Sequence, residues 1–299
     1  MKLLITGAWR EAGAYFDEIR ALGHEICFQQ QETDPLPCAL DWVEGVICNS
    51  LFLHHSVGEF AHLRYIQLTS AGLDRVDLNA VQARGIEIRN ARGVYSIPMA
   101  EFAVCGVLQL YKQAAAFARQ QQARCWEKRR DLLELAGKTV TILGCGSVGT
   151  ECAKRFAAFG CRVLGVDIAP RRDDFFEEIR PLEALEELLP ETDVLLLTLP
   201  LTDQTRGMVG AAELARLRQN AILVNIARGA IVDQAALTEA LKAQTLAGAV
   251  LDVFEQEPLA PDDPIWALPN VLITPHNSFV SDGNPARLAN VILSNLRKL

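Results

Sequence analysis

Short apolar runs alternate with longer amphipathic stretches from one end of the chain to the other. This alternation is typical of an α/β fold, in which helices cover the faces of a parallel sheet. The first third of the chain predicts a set of strands and helices of this kind. The strands are KLLIT, HEICF, GVIC, RYIQLT and IEIRN, and the helices are EAGAYFDEIRALG and LNAVQARG.

The pattern changes after Pro98, where MAEFAVCGVLQLYKQAAAFARQQQ predicts one long helix that begins near the proline. Its length suggests a helix that crosses between domains or lies in a subunit interface. From Lys138 a second series of six strands is predicted, namely TVTIL, RVLGV, DVLLLTL, AILVN, GAVLD and VLIT. Helix-length segments separate these runs, which indicates a doubly wound sheet. The last segment, PARLANVILSNLRKL, predicts a helix that returns to the first domain.

The composition narrows the class of protein. A chain of 299 residues, half of them apolar, is long enough for two domains with sizeable cores. Its 29 basic and 37 acidic residues give a net charge of −8, which argues against a general affinity for nucleic acid or an anionic membrane. An anionic small molecule must therefore be met by locally placed arginines.

The cysteines and the opening segment predict a cytoplasmic protein. The eight cysteines are scattered and form no CxxC pair, so we expect reduced core thiols and neither a disulfide framework nor a metal site. The opening MKLLITGAWREAG has too short an apolar run for a signal peptide. No apolar run approaches the roughly 18 residues that a membrane helix needs.

The stretch TVTILGCGSVG places a GxGxxG motif at Gly144, Gly146 and Gly149, after a predicted strand and at the start of a predicted helix. In that context the glycines allow a tight turn, a close approach to pyrophosphate and close packing of the helix. Asp167, eighteen residues further on, is placed to accept hydrogen bonds from the adenosine ribose. The motif therefore predicts NAD as cofactor, with NADP disfavoured, although the neighbouring Arg171 and Arg172 would soften that preference.

Three ionisable residues stand at the ends of late strands, Arg228 in VNIARGAIVD, Glu257 in LDVFEQEPL and His276 in VLITPHNSF. Taken singly, each has a structural explanation: a salt bridge at a strand end, a solvated turn residue or a loop cap. Ligands of an open parallel sheet bind beyond the carboxyl ends of its strands. Because all three residues fall on that edge, their combination favours catalysis beside a nicotinamide.

Seven stretches of the chain resemble the D-isomer-specific 2-hydroxyacid dehydrogenase family in order and spacing. They are TSAGLDRVDL (69–78), NARGVYSIPMAEFAV (90–104), ELAGKTVTILGCGSVG (134–149), LPLTDQTRGMV (199–209), VNIARGAIVD (224–233), LDVFEQEPL (251–259) and TPH (274–276). The resemblance implies two Rossmann-like domains, with the NAD domain (98–276) inserted into a smaller flavodoxin-like substrate domain (1–97 and 277–299). It also implies a homodimer that uses the long helix after Pro98.

The resemblance further implies a reaction and its residues. His276 would exchange a proton with the oxygen of a small 2-oxo or D-2-hydroxy acid, Glu257 would orient its imidazole, and Arg228 would bind the substrate carboxylate and carbonyl. Backbone amides of Ser70, Ala71 and Gly72 would hold the same carboxylate. The implied cofactor contacts are Gly144, Gly146, Ser147, Val148, Gly149, Asp167, Leu199, Pro200, Thr205, Ala227 and Asp252, the last at the nicotinamide carboxamide.

The chain departs from the family at HNSFVSDGN (276–284), where many relatives have small residues after the histidine. Glu257 replaces the glutamine of formate dehydrogenases, so formate oxidation is not expected. Specificity is expected from the loops GAWR (7–10) and NSLFLHH (49–55) and from Tyr95 and Ser96. An apolar wall (Trp9, Leu51, Phe52) and a site for a second anionic group (Arg10, His54, His55) both remain open.

Two functions are compatible with these residues. The first is an NAD-dependent reductase of small 2-oxo acids. The second is a non-catalytic NAD(H)-sensing binding protein, because the family includes a corepressor branch that resembles the enzymes at Arg228, Glu257 and His276. The bare two-domain length favours the enzyme.

Overall fold

The computed structural model describes residues 1–299, which form two compact units. Unit 1 comprises Met1–Tyr95 and Ser281–Leu299, and unit 2 comprises Ser96–Val280. Each unit is built on its own sheet, and every strand pair in both sheets is parallel. None of the helices combines the length and apolar character that a membrane span requires.

The strands and helices are numbered along the chain. The strands are β1 (Lys2–Thr6), β2 (Glu25–Gln29), β3 (Gly45–Cys48), β4 (Tyr65–Leu68), β5 (Glu87–Arg89), β6 (Thr139–Leu143), β7 (Arg162–Val166), β8 (Glu178–Arg180), β9 (Val194–Leu197), β10 (Ile222–Asn225), β11 (Gly248–Leu251) and β12 (Val271–Ile273). The helices are α1 (Phe16–Ala21), α2 (Leu78–Ala83), α3 (Ser96–Tyr111), α4 (Ala114–Gln122), α5 (Ser147–Ala158), α6 (Leu185–Leu188), α7 (Ala211–Arg216), α8 (Gln234–Lys242) and α9 (Asn284–Leu296).

The sheet of unit 1 has the order β2-β1-β3-β4-β5, which is the flavodoxin-like arrangement. All of its strands were predicted from their apolar runs. The closing helix α9 packs on one face of this sheet. It buries Leu288, Ala289, Ile292, Leu293 and Leu296, whose spacing forms a single apolar stripe along the helix.

The sheet of unit 2 has the order β12-β11-β10-β9-β6-β7-β8, a doubly wound arrangement. Six of its strands were predicted, whereas β8 was not. This edge strand is only three residues long, and Ile179 is its one buried residue. The predicted fold class, two doubly wound parallel-sheet units, is confirmed.

The long helix predicted after Pro98 is in fact two helices, α3 and α4, and that prediction was wrong in this respect. The break lies at Gln113, whose φ of +51° is left-handed. Gln113 donates from Nε2 to Asp131 Oδ2 at 2.9 Å, and Lys112 donates from Nζ to Leu133 O at 2.6 Å. These contacts with a segment further along the chain hold the break, and the local hydrophobic pattern contains no sign of them.

Candidate active site

The carboxyl edge of the unit 2 sheet opens between β6 and β9. β6 pairs with β7 on one side and with β9 on the other. The later strands are therefore added on both sides of β6, and the strand order reverses there. The loops after the two strands meet closely: Gly144 has a φ of +91°, and a Cβ there would lie 2.6 Å from Leu199 N. Only glycine fits this position, because both its backbone conformation and the approach of Leu199 exclude a side chain.

The remaining glycines of the motif shape the start of α5. A Cβ on Gly149 would lie 2.1 Å from Gly144 O, so this glycine allows the helix to pack against the strand. A Cβ on Gly146 would meet nothing within 4 Å, and Gly146 gives α5 no side-chain cap. The first turn of α5 includes Ser147 and Val148, and the N–H groups of a first helical turn have no partner within the helix. This is the arrangement that accepts a pyrophosphate, and the residues fit the dinucleotide that the motif predicts.

Asp167 directly follows β7 and borders the glycine loop. Its carboxylate accepts hydrogen bonds from Cys145 N at 2.7 Å and from Ala169 N at 2.9 Å, which fixes its position. Each carboxylate oxygen has a second lone pair, so acceptor capacity remains for ribose hydroxyls. Arg171 also lies against the loop, since its guanidinium donates to Cys145 O and lies 3.6 Å from Asp173 Oδ2. Arg172 is exposed.

The other predicted cofactor residues lie at the ends of β9 and β10. Leu199 is buried, and the Thr205 hydroxyl donates to Pro200 O at 2.8 Å and accepts from Thr202 N at 2.8 Å. Thr205 therefore holds the loop after β9 in one conformation. Ala227 is buried, and its N–H donates to Asn225 Oδ1 at 3.0 Å.

His276 and Glu257 come together, although they are far apart in sequence. His276 Nδ1 lies 2.8 Å from Glu257 Oε2, and Glu257 Oε1 accepts from Phe254 N at 3.1 Å. Because Nδ1 faces the carboxylate, Nε2 is the ring nitrogen that points away from Glu257. His276 has a φ of +51°, a left-handed conformation that is uncommon outside glycine and frequent at functional sites.

Asp252 holds the segment that carries His276. Its side chain is 0 % exposed, and its carboxylate accepts from Thr274 Oγ1 at 2.6 Å, Asn277 N at 2.7 Å and Ser278 N at 2.9 Å. A buried carboxylate requires such donors, because an unpaired charge inside a protein is strongly unfavourable. Sequence reasoning assigned Asp252 a cofactor contact and missed this anchoring of the His276 segment.

Arg228 follows β10 at the same sheet edge. Its Nη1 donates to Ala227 O at 2.8 Å, and its own carbonyl accepts from Asn225 Nδ2 at 3.0 Å. The Asn225 side chain thus positions both Ala227 and Arg228 from the end of the strand.

The predicted substrate turn Ser70–Gly72 belongs to unit 1 and follows β4. Ser70 Oγ donates to Gly72 O at 3.0 Å, and Ser70 O accepts from Ala91 N at 2.8 Å. Asn90 Nδ2 donates to Ala71 O at 2.6 Å. The turn is therefore fixed by its own side chain and by the strand-end residues that follow β5.

Trp9 and Leu51 pack in the core, so neither forms part of the apolar wall that the sequence left open. Both side chains are completely buried in the core of unit 1. Phe52 is partly buried against the same core as Leu51. The remaining loop candidates lie nearer the surface: Arg10 and His54 are exposed, and His55 Nδ1 lies 3.0 Å from Glu59 Oε2. Tyr95 donates from its hydroxyl to Thr69 O, and Ser96 is buried.

A family model for the NAD-binding domain of D-isomer specific 2-hydroxyacid dehydrogenases matches residues 104–278. The chain belongs to this family. It is 37 % identical over 240 residues to a glyoxylate reductase of Korarchaeum cryptofilum, a match that spans 78 % of this chain and 72 % of the relative. The resemblance stated from the sequence is confirmed.

Solved structures of the D-isomer specific 2-hydroxyacid dehydrogenase family share the whole fold. A family protein of Aeromonas salmonicida subsp. salmonicida matches with a TM-score of 0.83 at 30 % identity, covering 98 % of this chain and 94 % of that one. Another, from Xanthobacter autotrophicus Py2, was solved with NADPH and MES. It matches with a TM-score of 0.79 at 27 % identity, covering 99 % and 95 % of the two chains.

Proposed function

We propose that this dehydrogenase interconverts a small 2-oxo acid and its D-2-hydroxy acid with NAD(H). The observation that carries the proposal is the His276–Glu257 pair, with Nδ1 and Oε2 2.8 Å apart, on the sheet edge where the glycine loop also lies. A histidine that is oriented by a carboxylate and sits at the cofactor edge of a dinucleotide-binding sheet has the form of a general acid and base.

The cofactor and the protein supply different parts of the reaction. When bound, NADH supplies the hydride that the substrate carbon gains. His276 gives a proton from Nε2 to the carbonyl oxygen, so the C=O bond becomes a C–OH bond, and the reverse reaction returns both. Glu257 keeps the ring oriented by accepting a hydrogen bond from Nδ1. Asp252 keeps the His276 segment in place.

Arg228 is proposed to bind the substrate. A guanidinium presents a planar fork of donors that matches a carboxylate, and it polarises a carbonyl that shares the contact. The backbone amides of Ser70, Ala71 and Gly72 are proposed to bind the same carboxylate. The glyoxylate reductase name of the Korarchaeum relative makes glyoxylate the first substrate to test.

The cofactor is proposed to be NAD. Gly144, Gly146, Ser147, Val148 and Gly149 would hold the pyrophosphate. The Asp167 carboxylate would accept from the ribose hydroxyls and repel a 2′-phosphate. The rest of the dinucleotide is proposed to contact Leu199, Pro200, Thr205, Ala227 and Asp252. Because the Xanthobacter structure holds NADPH and Arg171 lies beside the loop, both cofactors belong in the assay.

We further propose a cytoplasmic homodimer that uses α3. All eight cysteines are free thiols in the structure, as a reducing compartment requires. α3 has an outward face that its own unit leaves uncovered, which includes the exposed Cys105.

The test follows NADH and NADPH absorbance with glyoxylate, hydroxypyruvate, pyruvate, phenylpyruvate, 2-oxoglutarate and 3-phosphohydroxypyruvate. Turnover of at least one 2-oxo acid is expected, with NADH preferred. Arg228→Gln is expected to raise KM at least about tenfold, because a charge-assisted contact is lost. Tight NADH binding without turnover of any 2-oxo acid would replace this proposal with the NAD(H)-sensing function.

A further inference from the structure

Two cysteines of unit 1, Cys27 and Cys38, lie side by side on one face of its sheet. Cys27 is the central residue of the edge strand β2, where it pairs with Leu4 of β1. Cys38 lies in the irregular segment that follows; we call residues 30–39 the β2 loop. Both side chains are partly buried against the same core cluster, and both are free thiols. The proposed function assigns neither cysteine a role.

The β2 loop directs Cys38 toward the sheet. Exposed and partly buried positions alternate from residue 35 to residue 40, as in an extended chain that lies along a core. The start of the loop is held by Gln29, whose Nε2 donates to two loop carbonyls at 2.7 and 2.8 Å. Glu32 anchors the loop further by accepting from two backbone amides after β3. The loop therefore brings the two thiols together before any covalent bond joins them.

The two thiols differ in their readiness to ionise. Burial, followed by a hydrogen bond to the Cys27 thiol, raises the pKa of Cys38 to about 12. Cys38 therefore retains its proton at neutral pH and directs it toward the sulfur of Cys27. The thiolate is the nucleophilic form of cysteine, so Cys27 is the residue of the pair that reacts first with an oxidant.

We propose that Cys27 and Cys38 are a reversible redox pair, which a peroxide converts to a disulfide and a dithiol reduces again. The Cys27 thiolate attacks one oxygen of hydrogen peroxide, so an S–O bond forms, the O–O bond breaks and hydroxide leaves. The sulfur of Cys38 then attacks Cys27 Sγ, so an S–S bond forms and the S–O bond breaks. The leaving hydroxides take up the two thiol protons. Two thiols thus lose two electrons, and the peroxide is reduced to two waters.

A reversible pair agrees with the cytoplasmic location proposed above, because disulfides in a reducing compartment are usually transient and redox-sensing. The bond would close residues 27–38 into a covalent ring. Glu32 lies inside this ring and accepts from Asn49 N at 2.7 Å and from Ser50 N at 2.6 Å. We therefore expect the oxidised form to have a more rigid sheet edge in unit 1.

Peptide mapping of the full chain tests the pairing directly. Cleavage after glutamate separates Cys27 (residues 26–32) from Cys38 (residues 33–44) and from Cys48 (residues 45–59). After treatment with hydrogen peroxide and blocking of the remaining thiols, we expect the first two peptides to be linked. Their mass should be two hydrogen atoms below the sum, and dithiothreitol should separate them. No link, or a link of either peptide to the Cys48 peptide, would overturn the proposal.

Single variants test the order of the two steps. Cys38→Ser lacks the second thiol, so dimedone should trap a sulfenic acid at Cys27. Cys27→Ser should remain unlinked and unlabelled at Cys38. The matched control combines Cys105→Ser with Cys125→Ser, which removes the two exposed thiols and should leave the link at its wild-type yield. Circular dichroism confirms that each variant is folded. Dimedone labelling of Cys38 in Cys27→Ser, equal to that of Cys27 in Cys38→Ser, would overturn the assigned order.

Hydrogen exchange measures the consequence of the bond. The amides of β2, Asn49 and Ser50 should exchange at least about tenfold more slowly in the linked form than in the reduced form, since closing a loop stabilises the structure around it. The amides of β6 and β9 in unit 2 should not change. Unchanged exchange in unit 1 of the linked protein would overturn the proposed rigid edge. The proposal is independent of the hydride chemistry, because turnover of 2-oxo acids is measured on the reduced chain.

Discussion

Each unit is built on its own parallel, doubly wound sheet, yet the loops after the first strands of the two sheets carry different side chains. β1 is followed by Gly7-Ala8-Trp9-Arg10-Glu11-Ala12, and β6 by Gly144-Cys145-Gly146-Ser147-Val148-Gly149. Trp9 therefore stands where unit 2 has Gly146. Trp9 is 0 % exposed and stacks on Tyr15 at 5.4 Å, whereas a Cβ on Gly146 would meet nothing within 4 Å. At corresponding loop positions, unit 1 thus has a buried indole and unit 2 has open space, where we propose that a pyrophosphate binds.

The acidic residue that follows the second strand of each unit also differs in whether it leaves the sheet edge open. In unit 1, Glu32 accepts from Thr6 Oγ1 at 2.7 Å, Asn49 N at 2.7 Å and Ser50 N at 2.6 Å, and so ties three strand ends together. In unit 2, Asp167 accepts from two amides beside the glycine loop. The Glu32 carboxylate closes the sheet edge of unit 1, whereas the Asp167 carboxylate borders an open edge in unit 2. The fold therefore supplies the edge, and the residues after the strands decide whether it binds a ligand.

The prediction with the largest expected effect tests whether only the carboxyl edge of the unit 2 sheet carries the catalytic residues. His276→Ala should lower kcat by about 10²–10⁴, the contribution of a general acid, while the NADH Kd from fluorescence titration stays unchanged. His55→Ala is the matched control, because it removes a His–carboxylate pair of similar length, 3.0 Å, from unit 1. It should leave kcat at the wild-type level. Equal losses in the two variants would end the distinction between the units.

The second prediction concerns the ring that fills the edge of unit 1. Trp9→Ala should lower the free energy of unfolding of unit 1 by about 3–5 kcal/mol, measured by native-state hydrogen exchange of the β1 amides. Trp9→Phe should cost less, since it keeps a ring against Tyr15 and removes an indole N–H that has no hydrogen-bond partner. NADH affinity should not change in either variant. A tenfold weaker NADH complex in Trp9→Phe would contradict a purely packing role.

Trp9 also shows where sequence reasoning ends. All strands except the short edge strand β8 were predictable, because buried parallel strands are continuous apolar runs. The glycine loop and Asp167 were predictable because their positions follow from strand ends, whereas the pairing of His276 with Glu257 was implied by the family resemblance. An aromatic residue in a loop does not reveal whether it faces the core or a ligand, so the sequence left the role of Trp9 open.

Contacts between distant segments account for the other differences. The break between α3 and α4 depends on Gln113 reaching Asp131, and the anchoring role of Asp252 depends on amides more than twenty residues away. Neither contact leaves a periodic pattern in the sequence. An aspartate at the end of one strand, with Thr-Pro-His at the end of the next strand, is compatible with a cofactor contact as well as with a loop anchor.

The third prediction concerns a substitution that places a side chain in the glycine loop of unit 2, as unit 1 has at the corresponding position. Gly146→Val should weaken NADH binding by about 1.5–3 kcal/mol, a tenfold to hundredfold rise in Kd, because the side chain displaces a charged phosphate from backbone donors. Thermal stability should not change, since the space beside Gly146 is open and its φ of −71° suits any residue. Gly149→Ala is the contrasting variant: its Cβ would lie 2.1 Å from Gly144 O, so it should lower both stability and affinity. A Gly146→Val protein with wild-type affinity would contradict the assignment of the loop.

The smallest expected effect is a pH dependence confined to unit 1. His24 is buried there, and burial, followed by the nearby N-terminal ammonium, lowers the pKa of its imidazole below the usual 6.5. His24 Nδ1 lies 3.2 Å from the Met1 amine. Because the folded pKa is lower than the unfolded one, protons bind preferentially to the unfolded chain. The stability that neutral His24 permits is present above pH 6.5 and is lost as the pH falls through the folded pKa.

Hydrogen exchange of β1 and α9 amides at pH 7.5 and 5.5, corrected for intrinsic exchange rates, measures this loss. One titrating group changes the free energy of unfolding by at most about 1.4 kcal/mol per pH unit, so the expected decrease is of that order or smaller. His24→Gln should remove it, whereas His62→Gln, at an exposed position of the same unit, should not. The amides of β6 and β9 in unit 2 should show no dependence on residue 24. A decrease that persists in His24→Gln would show that the titrating group is not His24.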